Sequence, residues 1–127
     1  MRNNFPKHAQ IVIIGGGIMG CSTAYHLMKN GCRDVILLER AKLTSGTTWH
    51  SAAQVRQLRS TESLTKLVQN SVNLYSSLEE ETGQATGWKQ SGSLSIATNQ
   101  DRLTHIRRQV SLSKAFGIGA EEISVSE

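Results

Sequence analysis

The first forty positions contain two short apolar runs separated by a segment with helical spacing. Gln10–Ile14 is mostly β-branched and lacks polar alternation, which is typical of a strand buried on both faces of a parallel sheet. Ile18–Asn30 carries apolar and small residues at helical intervals, and the following Gly31 completes a helix stop signal. Val35–Leu38 has the pattern of a second buried strand. The order predicts an α/β fold that begins with a Rossmann-like βαβ unit.

The pattern changes in the second half of the chain. A helical stripe runs from Leu64 and ends at Gly83, and its residues are expected to face a core. Gly92–Thr98 alternates polar and apolar residues, which predicts a half-buried strand of an antiparallel sheet. A further helix is predicted around Leu103, Ile106 and Val110. The stripe consists of Leu64, Leu67, Val68, Ser71, Leu74, Tyr75 and Leu78.

Three glycines at and just after the junction of the first predicted strand and helix each have a separate mechanical role. Gly15 allows the tight turn, Gly17 lets the backbone approach a pyrophosphate, and Gly20 lets the helix pack closely on the strand. Ile18 and Met19 open the helix, where unpaired N–H groups and the helix dipole favour an anion. The motif in this context predicts a bound dinucleotide.

The residue that follows the second strand is Glu39, at the position where a carboxylate accepts hydrogen bonds from ribose hydroxyls. A carboxylate there also repels a phosphate on the ribose, which disfavours NADP. Arg40 leaves that alternative partly open, since arginine can accommodate the phosphate. The motif and Glu39 do not distinguish FAD from NAD.

The segment that follows distinguishes FAD from NAD, because it resembles a loop of a known family. Ala41–Ala53, followed by Gln57–Arg59, resembles the flavin-contacting loop of the sarcosine and dimethylglycine dehydrogenases, within the D-amino-acid-oxidase-like flavoproteins. The sarcosine dehydrogenases are the closest match. The resemblance continues through Leu78–Gly83, Thr86–Trp88, Gly92–Leu94 and Ile96–Ala97.

The resemblance implies a cofactor and residues that bind it. FAD is expected, with Glu39 on its ribose and His50 linked covalently through a ring nitrogen to the 8α methyl carbon of the flavin. Ser45, Thr47 and Thr48 are expected to contact the flavin or its phosphates, or alternatively to form local turns. The family commonly has glycine where this chain has Ala53, so a left-handed backbone there would be strained.

The family's chemistry is oxidative N-demethylation of a small N-methylated amino acid, sarcosine or dimethylglycine. Its products are formaldehyde or a folate-bound one-carbon unit, with an electron-transferring flavoprotein or oxygen as the acceptor. Tetrahydrofolate would bind in a C-terminal region that this chain lacks, and no catalytic residue is assigned. A nicotinamide-dependent dehydrogenase and a catalytically silent regulatory protein on the same fold remain as alternatives, the second motivated by Ala53.

The visible strands do not complete a flavin-binding sheet, so an incomplete chain is expected. The resemblance divides it into residues 1–85, the start of the FAD-binding domain, and residues 86–127, the start of an α+β substrate-covering domain. Ser126–Glu127 has the pattern of another helix start.

Composition excludes several other functions. The net charge of +4 comes with only 5% aromatic residues, so nucleic-acid binding is not expected despite the basic group Arg102, His105, Arg107, Arg108 and Lys114. Cys21 and Cys32 have neither disulfide-framework nor zinc-site spacing, and no metal is expected. No apolar run suits a membrane span, and Met1–Lys7 is too polar for a signal peptide. A cytoplasmic location is expected, with a processed mitochondrial matrix form as the alternative.

Overall fold

The structure is a computed structural model that describes residues 6–124. The chain divides into two compact units, Met1–Gln54 and Val55–Glu127. The helix start expected at Ser126–Glu127 lies outside the described residues. The division into residues 1–85 and 86–127, which rests on the family resemblance, stays a prediction.

The first unit is built on the predicted βαβ arrangement. Strand β1, Ile11–Ile14, pairs in parallel with strand β2, Val35–Leu38, with Ile11 opposite Val35 and Ile14 opposite Leu38. Helix α1, Ile18–Lys29, connects the strands and contacts both of them. The predicted order of strand, glycine turn, helix and strand is therefore confirmed.

The prediction that β1 is buried on both faces is wrong for the described part of the chain. Ile11 and Ile13 are half-buried, whereas Val12 is 52% exposed and Ile14 is 88% exposed. Successive side chains of a strand point to opposite faces, and α1 covers only the face that carries Ile13. The apolar side chains on the other face have no covering layer among residues 6–124, although their composition suits one.

The boundaries of α1 follow from its flanking residues. Gly17 is the N-cap, with extended backbone. The helix ends at Lys29, where the backbone N–H and the side-chain amide of Asn30 both donate to the carbonyl of His26. Gly31 follows with φ of +90°, a conformation that costs glycine little. The predicted Asn-Gly stop signal therefore coincides with the observed helix end.

The second unit contains helix α2, Glu62–Thr82, with a capping residue at each end. The Thr61 hydroxyl accepts a hydrogen bond from the N–H of Leu64 at 3.3 Å, which satisfies an N–H group of the first turn. Gly83 ends the helix in the left-handed conformation, with φ of +70°. The helix predicted to end at Gly83 is confirmed.

The covered face of α2 includes five of the seven positions of the predicted stripe, which are half-buried: Val68, Ser71, Leu74, Tyr75 and Leu78. Leu64 and Leu67 are exposed, whereas Thr65 and Val72 are buried. The Thr65 hydroxyl accepts from the N–H of Arg59 at 3.1 Å and donates to the carbonyl of Thr61 at 2.8 Å. These bonds hold the preceding segment against Thr65, near the end of the helix where Leu64 and Leu67 are exposed.

Helix α3, Gln100–Ala115, begins after Asn99, whose side-chain oxygen accepts from the N–H of Arg102 at 2.8 Å. Its predicted apolar positions are half-buried, and its basic residues are exposed. Arg107 donates to both carboxylate oxygens of Glu122, at 2.7 to 3.2 Å, which ties the segment after the helix back onto it. The half-buried positions are Leu103, Ile106 and Val110, and the exposed basic residues are Arg102, His105, Arg107, Arg108 and Lys114.

The strand predicted over Gly92–Thr98 is absent from the described structure. Leu94 is 82% exposed and Ile96 is 77% exposed, so the alternating pattern has no covered face here. A strand forms only when its N–H and C=O groups find a ladder partner, and no residue within 6–124 pairs with this segment. None of the helices in the described range is both long and apolar enough to cross a bilayer.

Candidate dinucleotide-binding site

The glycine turn connects β1 to α1 with backbone geometry that requires glycine. Gly15 has φ of +108° and donates its N–H to the carbonyl of Leu38 at 2.8 Å, which continues the ladder past the end of β1. A Cβ on Gly20 would overlap the carbonyl oxygen of Gly15 and lie 3.1 Å from its carbonyl carbon. These two positions therefore perform the turn and close-packing roles predicted from the motif.

The N-terminus of α1 is suited to an anion. Its N-cap Gly17 carries no side chain, and the first turn of α1 contains no acidic residue, so the helix dipole there favours negative charge. Ile18 and Met19 begin the helix, and the Met19 side chain is largely exposed. The donors of a pyrophosphate site would be backbone N–H groups, which makes the exposed side chains of these two residues irrelevant to recognition.

Glu39 lies directly against the glycine turn. One carboxylate oxygen accepts the N–H of Gly16 at 2.7 Å, and the other accepts the N–H of Ala41 at 2.9 Å. These hydrogen bonds, that of Gly16 first, hold the pKa of the Glu39 carboxyl below its ordinary value. A carboxylate has about four lone-pair sites, so both oxygens retain acceptor capacity for ribose hydroxyls.

The loop after β2 closes over the turn through residues that the sequence did not single out. The N–H of Thr44 donates to the carbonyl of Gly16 at 2.8 Å, and Thr44 adopts φ of +65°. A Cβ on Gly16 would lie 2.5 Å from Cδ2 of Leu43 and 3.1 Å from Cβ of Glu39. A side chain at position 16 would therefore crowd Glu39 and displace the end of the exposed Leu43 side chain. The GxGxxG spacing gives no signal for this constraint.

The predicted hydroxyl residues differ in where they lie. The Thr48 hydroxyl accepts the N–H of Ile18 at 3.0 Å, so it contacts the first turn of α1. Ser45 donates instead to the carbonyl of Lys42 at 2.8 Å, which is the local-turn alternative. Thr47 is exposed on the loop, and the side chain of Arg40 is also exposed.

His50 ends a 3₁₀ turn, Thr47–His50, and is exposed. Two backbone hydrogen bonds define this turn, from the N–H of Trp49 to the carbonyl of Gly46 at 3.1 Å and from the N–H of Ser51 to the carbonyl of Thr48 at 3.2 Å. The imidazole therefore lies on an ordered turn. Thr48, two residues before His50 in the same turn, contacts α1.

Ala53 has φ of +54°, in the left-handed region that favours glycine. The sequence predicted strain at position 53 if the backbone there is left-handed, and the structure has it left-handed. The N–H of Ala53 donates to the hydroxyl of Ser51 at 3.1 Å, which supports the local bend. Outside glycine, the described residues with positive φ are Thr44 and Ala53, both in the loop that follows β2.

The structure thus brings one group of the predicted residues together and leaves another apart. Ile18 bonds to Thr48, which also lies beside Gly17, and Gly20 packs on Gly15, while Glu39 reaches the turn through Gly16. Ser45, Thr47 and Arg40 lie on the loop without reaching the turn through a described hydrogen bond. Within residues 6–124, no group of three histidine, cysteine or acidic side chains has the arrangement of a metal site.

Comparison with known proteins identifies the family of this chain. Residues 10–127 match the family model DAO, FAD dependent oxidoreductase. Sarcosine dehydrogenase of Mus musculus is 49% identical over 96% of the chain, and dimethylglycine dehydrogenase of Rattus norvegicus is 47% identical over 80%. The pyruvate dehydrogenase phosphatase regulatory subunit of Mus musculus is 44% identical over 94% of the chain. All three are described as mitochondrial.

The match to these relatives covers 12% to 14% of their length. Among solved structures, L-proline dehydrogenase from P. horikoshii superposes with a TM-score of 0.79 and 30% sequence identity, covering 89% of this chain and 29% of that one.

Proposed function

The chain belongs to the family of FAD-dependent oxidoreductases, and from that premise we propose that its protein oxidises a small N-methylated amino acid, sarcosine or dimethylglycine. The observation that carries the proposal is the closed glycine turn, where Glu39 and Thr48 lie against the start of α1. It supports dinucleotide binding, and the identity to sarcosine and dimethylglycine dehydrogenases supports the substrate class.

The residues present fit FAD. Gly15 and Gly17 place no side chain before α1, whose N–H groups would hold the pyrophosphate, and Gly20 lets the helix pack on the turn. Glu39 would accept the ribose hydroxyls while remaining bonded to Gly16. Bound FAD supplies a two-electron acceptor for the hydride that leaves the N-methyl group.

His50 would attach the flavin covalently through a bond from an imidazole nitrogen to the 8α carbon, in place of a C–H bond whose proton would leave and whose electron pair would pass to the flavin. Its exposure on the Thr47–His50 turn leaves the ring accessible for that bond. Thr48 would anchor the same turn to α1. Ser45 and Thr47 are proposed as secondary contacts to the cofactor.

Further parts of the proposal concern the whole protein. The electron acceptor would be an electron-transferring flavoprotein or oxygen, and the carbon would leave as formaldehyde or on tetrahydrofolate. The mitochondrial matrix, which the sequence left as the alternative location, is favoured over the cytoplasm by the relatives.

A regulatory protein without catalysis is the second candidate. The similarity to a phosphatase regulatory subunit favours it, and so does the alanine at position 53, where the left-handed backbone favours glycine. A nicotinamide-dependent dehydrogenase is disfavoured because the family match is to FAD-dependent proteins. Turnover of sarcosine or dimethylglycine by the purified protein would refute the regulatory candidate.

The first test is acid denaturation of the full-length protein, followed by mass analysis of the peptide that contains His50. We expect a flavin mass on that peptide, its loss in His50→Ala, and its retention in His105→Ala, which removes an exposed histidine of α3. Flavin released into the supernatant would refute covalent attachment and preserve FAD binding. Protein without any flavin after expression with riboflavin would refute the FAD proposal.

A further inference from the structure

Thr48 is the one side chain in the first unit with a described hydrogen bond that joins the 3₁₀ turn to helix α1. Its hydroxyl accepts the N–H of Ile18 at 3.0 Å across 30 positions of sequence. The residue is half-buried, in contrast to its exposed neighbours Thr47 and Trp49. The contact therefore connects the proposed pyrophosphate end of the site to the turn that carries His50.

The hydroxyl is placed to contact an anion as well. A hydroxyl has one donor and two acceptor positions, and the bond from Ile18 uses only an acceptor position. Its own proton is not used in any hydrogen bond described for residues 6–124. The oxygen also lies 3.0 Å from the point where Gly17 would carry a Cβ, directly beside the helix N-terminus. A phosphate oxygen at that terminus would be within reach of the free O–H.

The turn is short enough to transmit a restraint. Thr48 and His50 are two positions apart within one 3₁₀ turn, and the carbonyl of Thr48 also accepts the N–H of Ser51 at 3.2 Å. Fixing Thr48 at both its side chain and its carbonyl restricts the backbone torsions on either side of His50. An anion that tightens the Thr48 contact would therefore also tighten the turn.

We propose that Thr48 is a positioning residue that couples occupation of the pyrophosphate site to ordering of the turn that presents His50. The Thr48 hydroxyl accepts from Ile18 and donates to a phosphate oxygen at the same time, so the cofactor's diphosphate sets the turn before the flavin is attached. The inference rests on the proposed function for the identity of the cofactor, and its coupling step requires no covalent bond.

The test uses the flavin-free full-length protein and adenosine diphosphate, which carries the diphosphate and lacks the flavin. Hydrogen exchange of the peptide spanning residues 47–51 is followed by mass spectrometry, with the hydrogen-bonded amides of Trp49 and Ser51 as reporters. Saturation of each variant is verified by calorimetry. The variants are Thr48→Val, which removes the hydroxyl, and Thr48→Ser, which keeps it.

Adenosine diphosphate is expected to slow exchange in the peptide roughly tenfold in the wild type and in Thr48→Ser, the factor that one hydrogen bond to a charged group supplies. Thr48→Val should bind the nucleotide roughly tenfold more weakly, still reach saturation at higher nucleotide concentration, and show no slowing. Thr23→Val is the matched control, because Thr23 donates to a carbonyl within α1 and does not contact the turn. It should behave as the wild type.

Equal slowing in Thr48→Val and Thr48→Ser would overturn the coupling. So would a Thr48→Val protein that binds no nucleotide at saturation, since the hydroxyl would then be an essential ligand and not a coupling group. A wild type that binds no adenosine diphosphate would also overturn it. If acid releases the flavin while the exchange pattern is as expected, the covalent proposal fails and the coupling stands.

Discussion

Replacing Ala53 with glycine should stabilise the protein, although glycine substitutions usually destabilise. Ala53 has φ of +54°, and an L-residue in the left-handed region costs about 1 to 2 kcal/mol, which glycine does not pay. Glycine also gains freedom in the unfolded chain, which opposes folding by about 0.4 to 1 kcal/mol. The difference leaves a net stabilisation of about 0.8 kcal/mol for Ala53→Gly, within a range of about 0 to 1.6 kcal/mol.

Ala52→Gly is the matched control for this prediction. Ala52 is an exposed neighbour that is not among the residues with positive φ, so glycine there brings only the unfolded-state cost. The two variants should move the unfolding free energy in opposite directions and differ by about 1 to 2 kcal/mol, a factor of roughly 5 to 30 in the equilibrium constant.

The assay is urea unfolding of the flavin-free full-length protein, followed by circular dichroism and fluorescence, with the m-value compared between variants. Ala53→Gly should raise the midpoint and Ala52→Gly should lower it at unchanged m. If Ala53→Gly lowers the midpoint as much as Ala52→Gly does, the backbone at position 53 is not strained in the folded protein and the reasoning fails.

Two further predictions concern the glycine turn. Gly20→Ala should destabilise the protein by about 1 to 3 kcal/mol, because the added Cβ would overlap a carbonyl oxygen. Gly46→Ala, with open space around the added Cβ, should change the stability little. Equal urea midpoints for the two variants would refute the close-packing role of Gly20. The pKa of Glu39 is lowered in the folded protein, so its carboxylate stabilises the fold above the ordinary glutamate pKa of about 4.3. This contribution to folding stability is lost as the pH falls through the lower pKa of the folded state. Wild-type stability should therefore fall more steeply than that of Glu39→Gln between about pH 5 and 3, and parallel profiles would contradict the Gly16 contact.

Local pattern was sufficient for the elements whose boundaries depend on neighbouring residues. The Asn30-Gly31 stop, the Gly83 cap and the β1–α1–β2 order all agree with the structure, since caps and strand-to-helix turns are determined within a few residues. The positions of the glycines could also be predicted from local sequence, because a tight turn and a close helix approach leave a sequence signature.

Gly92–Thr98 shows where local pattern was insufficient. Its alternation is that of a strand, yet it forms none within the described residues, because a ladder requires a partner segment that alternation alone does not supply. The full burial of Thr65 has a similar origin, since its hydroxyl forms hydrogen bonds with Arg59 and Thr61 that apolar periodicity does not predict.

The sequence by itself determined the type of site, through the glycine spacing and the carboxylate after β2. Only the tertiary structure decided that Glu39 bonds to Gly16, that Thr48 and not Ser45 reaches α1, and that Ala53 lies in the left-handed region. Hydroxyl residues in one loop are chemically equivalent in a sequence. The path of the backbone over the turn makes them different, because a hydrogen bond forms only where donor and acceptor come within about 3 Å.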